Sequence, residues 1–241
     1  MARRPNRPAR RVRPAEKAAS PRAGNPAGSE REKIIAAFLT LLAETSLERI
    51  SLADIASGAG VTLAQMRGEF SSPLAILAAH LKDIDRAVLG EDLSDMDEEP
   101  PRERLFDVLM RRLEKLAPHR QAVRSLLRSA SRNAPLAFAL NGLAVRSQKW
   151  MLAAAGINAP GPRGALRAQG LALLFSSVLR TWVRDDDPGL ARTMAALDRA
   201  LARGQRFAGF LDDLCFIPSR LCRLRPRRRR RDDDEEEAVA A

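Results

Sequence analysis

The residues whose types and spacing could do chemistry lie in one stretch, SLADIASGAGVTLAQMRGEF, residues 51 to 70. Met66 and Phe70 stand four apart and face one side of a helix, which leaves Leu63, Gln65, Arg67 and Glu69 on the other. Gln65 and Arg67 are hydrogen-bond donors of the kind that meet base edges in the major groove. No other cluster offers comparable chemistry. The two histidines, His80 and His119, have no Cys, His or carboxylate at metal-ligand spacing, and they read as surface or core residues. Gly58-Ala-Gly60 lacks the strand before it and the Lys after it that a phosphate loop needs, so it reads as a turn. Nowhere does a nucleophile pair with a base. The chain is therefore expected to be neither an enzyme nor a holder of a metal or cofactor.

The outward set needs a scaffold, and the flanking residues supply one. Ser51 with Asp54 makes a capping arrangement that starts a short helix, whose inner face holds Ile55 and Ala56. Gly58 and Gly60 then permit a tight turn with positive φ, and Val61 closes the corner. Thr62 caps a second short helix up to Gly68. Upstream, Ser29 and Glu32 form another capping box that opens a helix over about 30–44, with Ile34, Ala37, Phe38, Leu41 and Leu42 on one stripe; Leu47 and Ile50 pack the corner that follows. Downstream, Ser72 and Pro73 are an N-cap and N1 pair for a helix over about 73–89.

Residues 29 to 88 resemble the N-terminal domain of the tetracycline-repressor (TetR) family of bacterial regulators. The residues in register are Ile55, Ala56, Ala59, Gly60, Val61, Thr62, Met66, Phe70 and Ser72. The family's recognition-helix tyrosine falls on Arg67, its usual glycine on Ala64, its aromatic-basic pair on Gly68 and Glu69, and its phosphate-binding lysine on Pro73. The scaffold matches better than the contacts. The resemblance implies a helix-turn-helix that meets DNA through Ser51, Leu52, Thr62, Leu63, Gln65, Arg67 and Gly68.

Beyond it the chain reads as all-α. Residues 90 to 101, GEDLSDMDEEPP, form an acidic, Pro-terminated linker to a second helical domain over 102–217. Helices are expected near 102–116, 118–132, 135–155, 162–183 and 188–214. Phe138, Trp150, Met151, Phe175, Val178 and Trp182 read either as the wall of an apolar effector pocket or as plain core. Gly170, Ala172, Ser176 and Ser177 permit close helix approach, and residues 169–182 with 188–201 could form a four-helix dimer face. Asp185, Asp186 and Asp187 are helix-start charges in the simpler reading, with a divalent-ion site as the alternative. Three segments also resemble the lipid-binding accessory proteins of ubiquinone biosynthesis, which share the TetR fold: 103–120, 150–157, and the Trp182 to Ala195 pattern. In that alternative the helix-turn-helix is scaffold only, and an interior cavity takes an isoprenoid or acyl chain. Residues 210 to 225 would then serve as a short, Pro-interrupted membrane-contact helix.

The formal net charge of +11 is unevenly placed. Residues 1 to 28 hold eight basic residues against Glu16 alone, while in residues 29 to 80 the four basic residues Arg31, Lys33, Arg49 and Arg67 face six acids. The basicity is thus in a Pro-rich, disordered arm, which reads as a DNA-tracking extension or as a solubilising tail. Its prolines argue against an amphipathic transit peptide. Residues 218 to 241 run from arginines into acids and read as a self-neutralising tail. Cys215 and Cys222 lack redox or metal spacing and suit free thiols in a reducing compartment. No run of about eighteen apolar residues suggests a membrane span. The expected protein is a cytoplasmic homodimer that binds palindromic double-stranded DNA and responds to an apolar small molecule, without stable membrane insertion.

Overall fold

A computed structural model describes residues 29–92, 96, 98–157 and 160–215, with 207–215 as helix backbone. The arm over 1–28, the tail over 218–241, Cys222 and most of the expected membrane-contact helix lie outside the described residues. Among those described, every regular element is helical: α1 (Glu30–Glu44), a 3-10 turn (Leu47–Arg49), α2 (Leu52–Ala59), α3 (Leu63–Glu69), α4 (Pro73–Leu89), α5 (Pro101–Leu116), a second 3-10 turn (Ala117–His119), α6 (Arg120–Arg132), α7 (Ala134–Ala154), α8 (Gly161–Trp182) and α9 (Ala191–Cys215). The class is all-α.

Local chemistry starts most of these helices. Ser29, Ser51 and Thr62 each accept a hydrogen bond from the backbone three residues on, and each receives the reciprocal side chain at its own N–H. Three capping boxes in the first forty described residues satisfy backbone donors that helix starts leave open. Ser72 caps α4 and Pro73 takes the first position, where its missing N–H costs nothing. Asn133 caps α7 in the same way.

Two apolar clusters organise the chain. The first gathers Ile34, Phe38 and Leu42 of α1 with Ile55, Met66, Phe70, Ile76 and Leu77. The second gathers Val108, Leu109 and Leu113 of α5, Met151 of α7, Phe175, Val178 and Trp182 of α8, and Leu197 and Ala200 of α9. α4 belongs to both, with Ile76 and Leu77 at one end and Ile84 and Val88 at the other. It is one of the physical links between the head, built on the first cluster, and the body, built on the second.

The burial of α1 differs from the sequence expectation. Ile35 and Leu39 are buried, while Ala37 and Leu41 are half-buried. The reason is tertiary: α6 lies along α1, Ala122 joins the first cluster, and Leu126, Leu140 and Leu143 pack on it. The Ser125 hydroxyl donates to the Thr45 carbonyl at 2.9 Å across the same contact. α1 is therefore covered on two sides, and its buried arc is wider than one amphipathic stripe.

Two further differences concern segment ends. Two described residues of the acidic segment after α4 are anchored: Met96 is buried in the second cluster, and Glu91 pairs with Lys115 at 2.5 Å and Arg111 at 3.3 Å. α9 starts at Ala191 rather than at Pro188. The carboxylate of Asp187 accepts from the N–H groups of Gly189 and Ala191, and that of Asp185 accepts from the Thr193 N–H at 2.8 Å and hydroxyl at 2.6 Å. These hydrogen bonds hold the Asp185 carboxyl below its usual range. The acids complement a helix start, as their charge suggests, but one turn later than the proline would place it.

A helix-turn-helix as candidate nucleic-acid interface

The turn between α2 and α3 rests on one glycine. Gly60 takes the left-handed conformation at φ 65°, and the Val61 N–H reaches back to the Ala56 carbonyl at 3.0 Å. Gly58, which the sequence suggested as a second turn residue, is helical; a Cβ there would meet the Ala37 Cβ at 3.4 Å. Its role is close approach of α2 to α1. With Ile55 and Ala56 on one side and Met66 and Phe70 on the other all buried, the two helices are fixed against α1 from inside.

What stands outside is the expected set. Ser51, Leu52, Thr62, Leu63, Gln65, Arg67 and Gly68 are all exposed, with Leu52 at 44% and Leu63 at 57%. The surface is uniform in exposure and mixed in availability. The Ser51 hydroxyl donates to the Asp54 carboxylate at 2.6 Å and the Ser51 N–H to the same carboxylate at 3.1 Å; these two bonds draw the Asp54 carboxyl below its usual range. Gln65 is similarly occupied. Its Oε1 accepts from the Thr62 N–H and hydroxyl, both at 2.9 Å, and its Nε2 donates to Glu30 at 2.7 Å. Leu63 and Arg67 carry no such bond among the described residues.

The charge around this surface comes from few groups. Arg67 is the one cation on α2 and α3, against Asp54 and Glu69 on the same helices and Glu30 beside α3. Arg31 is spent on Asp83 at 2.8 Å, tying α1 to α4, and Arg49 donates to Ser46. Chemically, the site offers a guanidinium for a guanine edge or a phosphate and an apolar tip for a thymine methyl.

The six residues considered as an effector wall separate into two groups. Met151, Phe175, Val178 and Trp182 are buried together in the second cluster. Phe138 and Trp150 stand on the outer surface of α7, 81% and 58% exposed, and do not join them.

Sequence reasoning missed the polar groups that share this interior. Arg112 is buried and paired with Asp85 of α4, which also accepts from the Ser147 hydroxyl at 2.7 Å. The Arg112 guanidinium lies 5.8 Å from the Phe175 ring centre, and that of Arg120 lies 5.0 Å from the Trp182 ring. Nearby, His80 and His119 meet edge to face with ring centres 4.9 Å apart. Burial first, and the neighbouring His119 second, push the His80 imidazole down to about 4. The signal was present in the periodicity: Arg112 falls in register with Leu105, Val108, Leu109 and Leu116, so a charge sits inside an apolar stripe.

Solved structures match this arrangement over most of its length. A TetR transcriptional regulator from Nitrosomonas europaea ATCC 19718 is 23% identical, covering 74% of this chain and 99% of its own, with a TM-score of 0.58. A TetR transcriptional regulator from Rhodococcus sp. RHA1 is also 23% identical, covering 73% and 95%, with a TM-score of 0.53. The chain has the TetR fold. No protein-family model matches the sequence, and no curated protein does. In TetR-fold terms α2 and α3 form the helix-turn-helix, α4 is the connection and α5 to α9 make the C-terminal helical part. No described helix is long and apolar enough to cross a membrane.

Proposed function

We propose that this TetR-fold chain is a DNA-binding transcriptional regulator of the cytoplasm, acting as a homodimer on a palindromic operator, with no enzymatic activity of its own. The observation that carries the reading is α3 itself: Met66 and Phe70 anchor it from inside while Leu63 and Arg67 stand free outside. A helix placed this way meets the major groove, and two copies must sit about one DNA turn apart to read a palindrome. Leu166 and Leu173 of α8 and Phe138 of α7, all exposed, offer an apolar face for the second copy. The arm over 1–28 supplies the phosphate-tracking charge that the head lacks.

The effector is a small molecule with an apolar body, and Met151, Phe175, Val178 and Trp182, which are packed together in the structure, would part to take it up. It acts by favouring one spacing of the two heads over another. The Arg112–Asp85 pair in the same interior favours an effector with a polar end. A carrier of isoprenoid chains is less well supported, because the solved structures that match this chain over most of its length are transcriptional regulators.

Selection of duplexes from a random pool by the full-length protein tests the reading. It predicts an enriched two-fold-symmetric site, and at least tenfold weaker binding to that site after Arg67→Ala, on the order of the value of one bidentate base contact. No enrichment, together with isoprenoid or acyl lipid recovered by solvent extraction of the purified protein, would replace the regulator by the carrier.

A further inference from the structure

We propose that Glu30 is a specificity-determining residue of the reading head: it holds the Gln65 amide turned away from DNA, so that Leu63 and Arg67, and not Gln65, set the base preference of α3. This rests on the DNA-binding reading and specifies how it works. Gln65 is exposed on α3, and a free glutamine amide reads adenine by donating to N7 and accepting from the N6 amino group, one donor and one acceptor on the same edge. Here neither is presented outward as a pair. The Oε1 atom has two lone pairs, and the Thr62 N–H and Thr62 hydroxyl are directed at it, both at 2.9 Å. The Nε2 atom has two protons, and one is given to Glu30 Oε1 at 2.7 Å. A single N–H remains, which can meet an acceptor on any base pair and discriminates little.

The two halves of this arrangement depend on each other. The capping box orients the carbonyl end of the amide, and Glu30, from the first turn of another helix, fixes the amino end. Because an amide is planar, a partner at each end sets its rotation. Without Glu30 the amide keeps only the local cap, and the bidentate adenine edge becomes reachable when Gln65 swings out. Glu30 also brings a negative charge beside the helix that meets phosphates. Its removal therefore strengthens binding to every sequence alike, and this uniform gain is separable from a change in base preference.

Three full-length proteins decide the matter, wild type, Glu30→Ala and Glu30→Gln, with Gln65→Ala as the control for both measurements. Glu30→Gln removes the charge but keeps a carbonyl acceptor for Gln65. Each is used to select duplexes from a random pool, and the Gln65 side-chain amide is followed by NMR after assignment by its absence in Gln65→Ala. The expected result is a wild-type Gln65 amide proton displaced by its carboxylate partner, relaxed in Glu30→Ala. It goes with an adenine preference of about fivefold or more at one base pair of each half-site, gained in Glu30→Ala and absent in wild type and Glu30→Gln. Identical base preferences in wild type and Glu30→Ala overturn the inference while leaving DNA binding intact. So does an adenine preference in wild type that Gln65→Ala abolishes. Failure of all three proteins to enrich any duplex overturns the DNA-binding reading, and this inference with it.

Discussion

His80 is a histidine held neutral where the reading head meets the body. It is buried on α4, edge-on to His119, with Arg112 adding repulsion and Asp83 the one opposing attraction. Its folded-state value of about 4 lies below the ordinary 6.5. The unfolded chain therefore binds the extra proton first as pH falls, and the stability contribution is complete above about 6.5 and lost on the way down to about 4. The loss amounts to about 3 kcal/mol across that window. Urea melts at pH 7 and pH 4.5 should show it, and His80→Gln should flatten the difference; an unchanged slope in the variant would place the acid sensitivity elsewhere. At this scale the sequence was informative only where function is local. The outward position of Arg67 was legible from Met66 and Phe70, four residues apart. The capture of Gln65 by Glu30 was not, because the partner is 35 residues away and reaches it only through the packing of α1 on α3. The Arg112–Asp85 pair was half legible: the periodicity flags a charge in the stripe, but not the helix that answers it.

At the scale of the element, the helix-turn-helix depends on a backbone conformation at one position and tolerates change close by. Gly60 needs the left-handed region, whereas Gly68 is helical with nothing within 4 Å of an added Cβ. Gly60→Ala should destabilise the chain by about 1 to 2 kcal/mol, and Gly68→Ala should stabilise it by up to about 1 kcal/mol. Thermal melts of the two variants make opposite shifts the test; a loss of stability in Gly68→Ala would mean that its surroundings are not open. Asp185 makes a second case, since Asp185→Ala removes the acceptor of two Thr193 bonds at the start of α9 and should cost about 1 to 2 kcal/mol. Helix existence was legible throughout because caps and apolar spacing are short-range signals. The ends were less so: Pro188 is a good first residue of a helix in isolation, yet the carboxylates of Asp185 and Asp187 fold back to cap a start at Ala191. The burial of Ile35 and Leu39 depended on α6, which no window around α1 contains.

At the scale of the molecule, α4 and α6 both join head to body, α4 by sharing its two ends between the clusters and α6 by lying on α1. In the proposed regulator these two helices are the elements through which a change in the body would reach the head. The fold was legible because the residues in register with the TetR head are those that build the corner. The assembly was less so, since an exposed Leu173 or Phe138 signals an apolar face only after the helices are placed. Leu173→Asp should convert a dimer into a monomer in sedimentation experiments at micromolar concentration and weaken operator binding; a dimer that survives would place the two-fold contact on another face.

Everything functional rests on α3 as a DNA-reading surface, and a salt titration of binding addresses that most directly. Affinity of the full-length protein is measured for a selected duplex and for a scrambled one of equal length, with Arg67→Ala alongside. If α3 reads DNA, log affinity falls linearly with log salt for both duplexes, and the selected duplex binds at least about 100-fold tighter than the scrambled one, on the order of a modest specific-to-nonspecific ratio. Most of that margin should disappear in Arg67→Ala. Equal binding of the two duplexes at every salt concentration, unaffected by Arg67→Ala, would show charge attraction through the arm alone and contradict a reading role for the helix.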